Sequence, residues 1–106
     1  MQLPEKGFYY HYKHDPRGPV NNFAYEVFGF GMHTELHDDP NGEMVLYRPL
    51  YEAFVYKKGK WFDVRPIPMF LEEVTKDGKT FSRFTKITDP EIVSELQKIK
   101  KEMYSE

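Results

Sequence analysis

The chain contains no cysteine. That absence excludes disulfide staples, thiolate zinc sites and cysteine nucleophiles, and it fits a reducing compartment. No apolar run approaches the roughly 20 residues needed to cross a bilayer, and Met1 to Leu3 lead into charge instead of a signal-peptide core. The expectation is a soluble, cytoplasmic protein. There is also no glycine-rich phosphate loop, no Walker sequence and no zinc-finger spacing. Neither sign of charge dominates: 15 Lys+Arg against 17 Asp+Glu give −2 at pH 7, which argues against broad nucleic-acid affinity. The halves differ mildly, with 4 basic and 8 acidic residues in 1–53 and 11 and 9 in 54–106.

What is present is aromatic. Of 106 residues, 40% are hydrophobic and 17% are Phe, Trp or Tyr, enough for one packed domain and too much for a disordered chain. A domain of this size leaves no room for a large cofactor-binding scaffold, so no cofactor is expected.

Phe8, Tyr10 and Tyr12 alternate with Tyr9, His11 and Lys13 in the period-2 pattern of a strand. Pro16 and Pro19 turn the following segment into a loop. Phe23, Tyr25 and Val27 share one face of a second strand, and the apolar register shifts at Phe28 and Phe30, which implies a bulge at Gly29. Met44 to Leu50 reads as a third strand, and Ala53 to Tyr56 with Trp61 to Val64 as a hairpin around Lys57-Lys58-Gly59-Lys60. Asn41-Gly42 and Asp77-Gly78 have the chemistry of type I′ turns. Pro66 and Pro68 predict a short turn that plugs one end of the sheet with an aromatic from Met69-Phe70-Leu71. Glu73 to Lys76 and Lys79 to Ile87 supply a last hairpin. Beyond it, Thr88 or Asp89 can cap a helix whose Ile92, Leu96, Ile99 and Met103 form one apolar stripe. Docking of that helix onto the sheet is expected, with a homo-oligomer formed through it as the second reading. The domain division is thus 1–88 for the β body and 89–106 for the helix.

Several strings occur in a recognisable order: Tyr10-His11-Tyr12-Lys13; Tyr25-Glu26-Val27 with His33-Thr34-Glu35; Val45-Leu46-Tyr47-Arg48-Pro49-Leu50-Tyr51; Val64-Arg65-Pro66 with Met69-Phe70-Leu71-Glu72; and Arg83-Phe84. Together they resemble the small bacterial and phage family known as domain of unknown function 1653. The resemblance implies an SH3-like β-barrel or roll, in agreement with the strand pattern, and no assigned activity. The chain departs from the pattern in a longer loop after Lys13, an acidic stretch from His37 to Glu43, and Gly31-Met32 where alanine and arginine are usual.

The fold class expected is therefore mainly β, an SH3-like small barrel or roll with an appended C-terminal helix. Arg48 and Arg65 each precede a proline among aromatics and carry the planar cation suited to phosphate or carboxylate recognition. With Tyr47, Tyr51 and Trp61 they suggest a site for a small anionic or nucleotide-like ligand. Pairing of the arginines with Glu26, Glu35 or Glu72 is the alternative. His33-Thr34-Glu35 would bring an imidazole and a carboxylate to one face of a strand, as ligand-site residues or as the acid/base pair of a small hydrolase. The spacing of His33, Glu35, His37, Asp38 and Asp39 matches no metal signature, so no metal is assigned. The first reading is a non-enzymatic binding module, the second a protein or peptide interaction module such as a phage-type inhibitor of a host protein, the third the hydrolase.

Overall fold

A computed structural model describes residues 3–105. Five strands form one antiparallel sheet: β1 (Gly7–His11), β2 (Ala24–Met32), β3 (Glu43–Pro49), β4 (Asp63–Pro66) and β7 (Phe84–Lys86), in the spatial order β4-β3-β2-β1-β7. β5 (Glu73–Lys76) and β6 (Lys79–Ser82) make a separate hairpin, and the helices are α1 (Phe54–Gly59), α2 (Ile67–Phe70) and α3 (Pro90–Tyr104). The chain is mainly β with a C-terminal helix, as the alternation and the terminal stripe predict. Among the described residues, β4 and β7 share no ladder, so the sheet is open and does not close into a barrel.

Register decides what each face carries. Tyr9 lies opposite Tyr25, Val27 opposite Tyr47, Tyr47 opposite Asp63, Val45 opposite Arg65, and His11 opposite Phe84. Directly opposed residues share a face, so all of these project to one side. Phe8, Glu26 and Arg48 are linked by the same ladders and project to the other. The register slips by one residue between Val27 and Gly29, the expected bulge, and it returns Phe30 to the side of Val45.

Both sides are packed. On the first, Tyr9, Val27, Val45, Tyr47 and Phe84 meet Ile67 and Phe70 of α2, and Phe70 stacks on Phe84 with centroids 4.3 Å apart. This is the aromatic plug that follows Pro66. On the second, Phe8, Ala24, Leu50 and Ile87 receive Leu96 and Tyr104 of α3, with Ile92, Ile99 and Met103 around them. The Asp89 side chain caps this helix by accepting from the Glu91 amide at 2.9 Å. No helix among the described residues is long and apolar enough to cross a membrane.

Not every local expectation holds. Of the stretch 79–87, expected whole in the last hairpin, only Lys79–Ser82 pairs with β5, while Phe84–Lys86 leaves it to pair with β1. The segment expected as a hairpin around Lys57 to Lys60 is instead helix α1. Lys60 enters the left-handed region (φ 58°), where its amide donates to the Tyr56 carbonyl at 2.9 Å and ends the helix. Tyr56 turns inward, donating from its hydroxyl to the Met103 carbonyl and meeting Tyr104 edge-on at 5.5 Å. Packing against α3 thus outweighs the strand propensity of Phe54, Val55 and Tyr56. Asn41-Gly42 is likewise no type I′ turn but part of a 3₁₀ turn, Pro40–Gly42, capped by Asp39. Gly42 is required there for space, since a Cβ would lie 2.0 Å from the Leu36 carbonyl oxygen. Asp77-Gly78 does form the expected tight turn, with both residues at positive φ (53° and 75°).

Candidate anion-binding site

The sheet separates the two arginines singled out from the sequence. Arg48 lies on the α3 side, 4% exposed, with Nε 3.2 Å from Glu26 Oε1. Lys100 of α3 donates to the other oxygen of Glu26 at 2.7 Å, and the Arg48 guanidinium sits 4.0 Å from the Tyr104 ring centroid and 5.0 Å from that of Phe28. Its cation is thus engaged in joining the helix to the sheet. The pairing with Glu26 is the alternative that the sequence left open.

Arg65 lies on the other side, half-buried. Its Nε donates to the Tyr47 hydroxyl at 3.0 Å and its guanidinium carbon stands 5.8 Å from the Phe84 ring centroid. Among the described residues it forms no ion pair. Phe84 is the floor of the cluster: His11, Tyr47 and Tyr25 meet its ring edge-on at 5.2, 5.5 and 5.7 Å. Tyr51, from the link between β3 and α1, joins its hydroxyl to that of Tyr25. Arg83, just before β7, bonds Glu72 through Nη2 at 2.9 Å, while its Nε is buried without a hydrogen-bond partner.

Burial sets the protonation of these groups. It holds His11 down at about 4, assisted by the positive charges of Lys13, Arg65 and Arg83, so the ring is neutral at pH 7. The Lys13 amide donates to His11 Nδ1 at 3.2 Å, which leaves the proton of the neutral ring on Nε2. Burial raises Tyr25, Tyr47 and Tyr51 above the usual phenol range, although the bond from Arg65 pulls Tyr47 back and the bond to Tyr25 does the same for Tyr51. All three phenols therefore remain protonated, one of the Tyr25 and Tyr51 O–H groups being spent on the bond between them. Asp63 is raised by burial and lowered by Arg65. The sum is three phenols, a neutral imidazole and two guanidinium groups, with one carboxylate, Asp63, close enough to be lowered by Arg65, and no cysteine, serine or threonine among them.

The remaining sequence-predicted residues lie elsewhere. His33 and Glu35 follow the end of β2, exposed in a turn instead of on a strand, and His33 Nδ1 accepts from the Glu35 amide at 3.2 Å, with no bond between imidazole and carboxylate. Trp61 follows α1, 57% exposed, with Lys58 Nζ 5.1 Å from its ring. Of the predicted set, Arg65, Tyr47 and Tyr51 come together; Arg48, His33, Glu35 and Trp61 do not join them. His11, Tyr25, Asp63 and Arg83 were missed. Their signal was the shared odd numbering of His11, Tyr25, Tyr47, Asp63 and Arg65, which acquires meaning only once the register is known.

The family described as Protein of unknown function (DUF1653) matches residues 7–86, and the chain belongs to it. The matched span holds every residue of the cluster, while the whole of α3 lies beyond it. No curated protein and no solved structure matches the chain.

Proposed function

We propose that the protein is a non-enzymatic binding module for a small anionic molecule, a nucleotide or another compound bearing phosphate or carboxylate, and that Arg65 holds the anion. The observation that carries this reading is a half-buried guanidinium that forms no ion pair among the described residues, its nearby carboxylate, Asp63, interacting with it only at longer range, set beside three protonated phenols and a neutral imidazole. A cation kept from water gains most from an anion that restores its charge partner, and a planar fork favours phosphate or carboxylate. The buried, unpartnered Nε of Arg83 supplies a second donor. Binding without turnover follows from the same groups: phenols with raised pKa are poor nucleophiles, and His11 has no nucleophile beside it.

Calorimetry against adenosine monophosphate, inorganic phosphate and a small dicarboxylate tests this. Arg65→Ala should abolish binding and Arg65→Lys should weaken it about tenfold or more, because an ammonium cannot reproduce the fork. Unchanged affinity in Arg65→Ala would remove the site. Binding of peptides alone, dependent on Trp61 and indifferent to Arg65, would replace this reading with that of a protein-interaction module.

A further inference from the structure

Helix α3 covers only part of its side of the sheet. Its partners are Phe8, Ala24, Leu50 and Ile87, which leaves the flank made by β3, β4 and the bulged middle of β2 open. There, Val64 is 61% exposed opposite Leu46, and Phe28 and Phe62 stand together, ring centroids 5.1 Å apart, 46% and 37% exposed. Gly29 and Gly31 add no side chain to this stretch of β2. At one end of the flank is an apolar hollow of about 210 Å³ lined by Gly31, Met44, Leu46 and Val64 among others. The aromatic pair occupies the other end, beside α1.

The charges divide in the same way. The loop before β3, at the hollow's end, carries Glu35, Asp38 and Asp39, all exposed. Helix α1 and its cap, at the aromatic end, carry Lys57, Lys58 and Lys60, also exposed. A two-fold axis lying in the plane of this flank and perpendicular to the strands would place the aromatic pair of one copy over the hollow of the other and the lysines of each over the acidic loop of its mate. An axis parallel to the strands would oppose like charges. We infer that this flank is a self-association surface on which a second copy of the chain packs face to face with its strands antiparallel.

Size makes the charged ends necessary. β3 has seven residues, and at about 3.3 Å per residue and about 4.8 Å between strands the three-strand stretch offers only roughly 300 Å². A stable interface needs about 800 Å² per partner, so α1 and the acidic loop must take part. The dimer is then salt-sensitive and modest in affinity.

Sedimentation equilibrium at up to about 0.2 mM protein reads this out. The wild type should dimerise, more weakly as salt rises. Lys57→Glu/Lys58→Glu and Glu35→Lys/Asp38→Lys should each weaken self-association about tenfold or more, and an equimolar mixture of the two should form a heterodimer close to wild-type strength, because both contacts are then complementary. Val64→Asp, at an exposed position that leaves the core untouched, should abolish the dimer while the circular dichroism spectrum is unchanged. A wild type that stays monomeric throughout would overturn the inference. So would a dimer indifferent to Val64→Asp, or charge-reversed partners that fail to pair.

Discussion

Replacing Arg48 with methionine should damage the fold, whereas the same replacement at Arg65 should not. In the wild type, Arg48 and Glu26 have side chains 4% and 11% exposed, so both charges are held away from water and each depends on the other. Removing one member of a buried pair costs about 3–5 kcal/mol because the survivor remains buried and charged. Lys100 still reaches Glu26 at 2.7 Å, which argues for the lower end. Loss of the cation over Tyr104, at 4.0 Å, adds roughly 0.5–1 kcal/mol, partly offset by the apolar fit of methionine. Arg48→Met should therefore cost about 3 kcal/mol, a fall of roughly 12–24 °C in Tm for a domain of about 100 residues. Arg65→Met forfeits one hydrogen bond to Tyr47 at a half-buried site, about 1–2 kcal/mol. Urea unfolding followed by circular dichroism measures both. The double variant Glu26→Gln/Arg48→Met should recover much of the loss, since no uncompensated carboxylate remains. Equal costs for the two arginine variants, or an Arg48→Met within about 1 kcal/mol of wild type, would refute the assignment of Arg48 to structure.

Other outcomes follow from the same packing. Phe70→Ala, which empties a site only 2% exposed and removes the ring stacked on Phe84, should cost about 3–5 kcal/mol in the same urea assay. Truncation after Thr88 uncovers Phe8, Ala24, Leu50 and Ile87; the shortened chain should lose cooperative thermal unfolding, and an unchanged Tm would contradict the docking of α3. Because His11 is held down at about 4 in the fold and is near 6.5 when unfolded, the unfolded chain takes up its proton first. The stability tied to the neutral ring is thus complete above about pH 6.5 and is lost as pH falls through about 4. A His11→Gln variant should show a shallower decline across that window in pH-dependent urea melts.

The strand pattern, the bulge at Gly29, the Phe70 plug and the α3 stripe were legible because each rests on local periodicity or on a proline or glycine. The register of β3 against β2 and β4 was not. The pairing of β3 with β4, where Val45 lies opposite Arg65, fixes whether Arg48 and Arg65 share a face, and that pairing is set by the link 50–62, whose helix α1 the local pattern does not show; the bulge exchanges faces only along β2. Phe54-Val55-Tyr56 reads as strand by composition, and what favours a helix there, the contact of Tyr56 with α3 and the left-handed cap at Lys60, is not visible in that composition. His33 and Glu35 look like partners because an interval of two places residues together on a strand; β2 ends at Met32, and in the turn that follows the interval carries no such meaning. His11 and Arg83 escaped notice because their environment is assembled from β1, β7 and the segment between hairpin and sheet, which no local pattern joins.

The assignment of the site to Arg65 stands or falls on the imidazole of His11. Its nitrogen resonances, followed by NMR during titration with adenosine monophosphate at about pH 6, should start in the neutral form, since the free protein holds the ring near 4. An anion seated at Arg65 favours the imidazolium, so His11 should move toward the protonated form in step with binding, and affinity should rise as pH falls from about 6.5 toward 4. In Arg65→Ala the His11 signals should not respond to the nucleotide. Binding that leaves His11 unperturbed in the wild type, or an identical response in Arg65→Ala, would contradict the site.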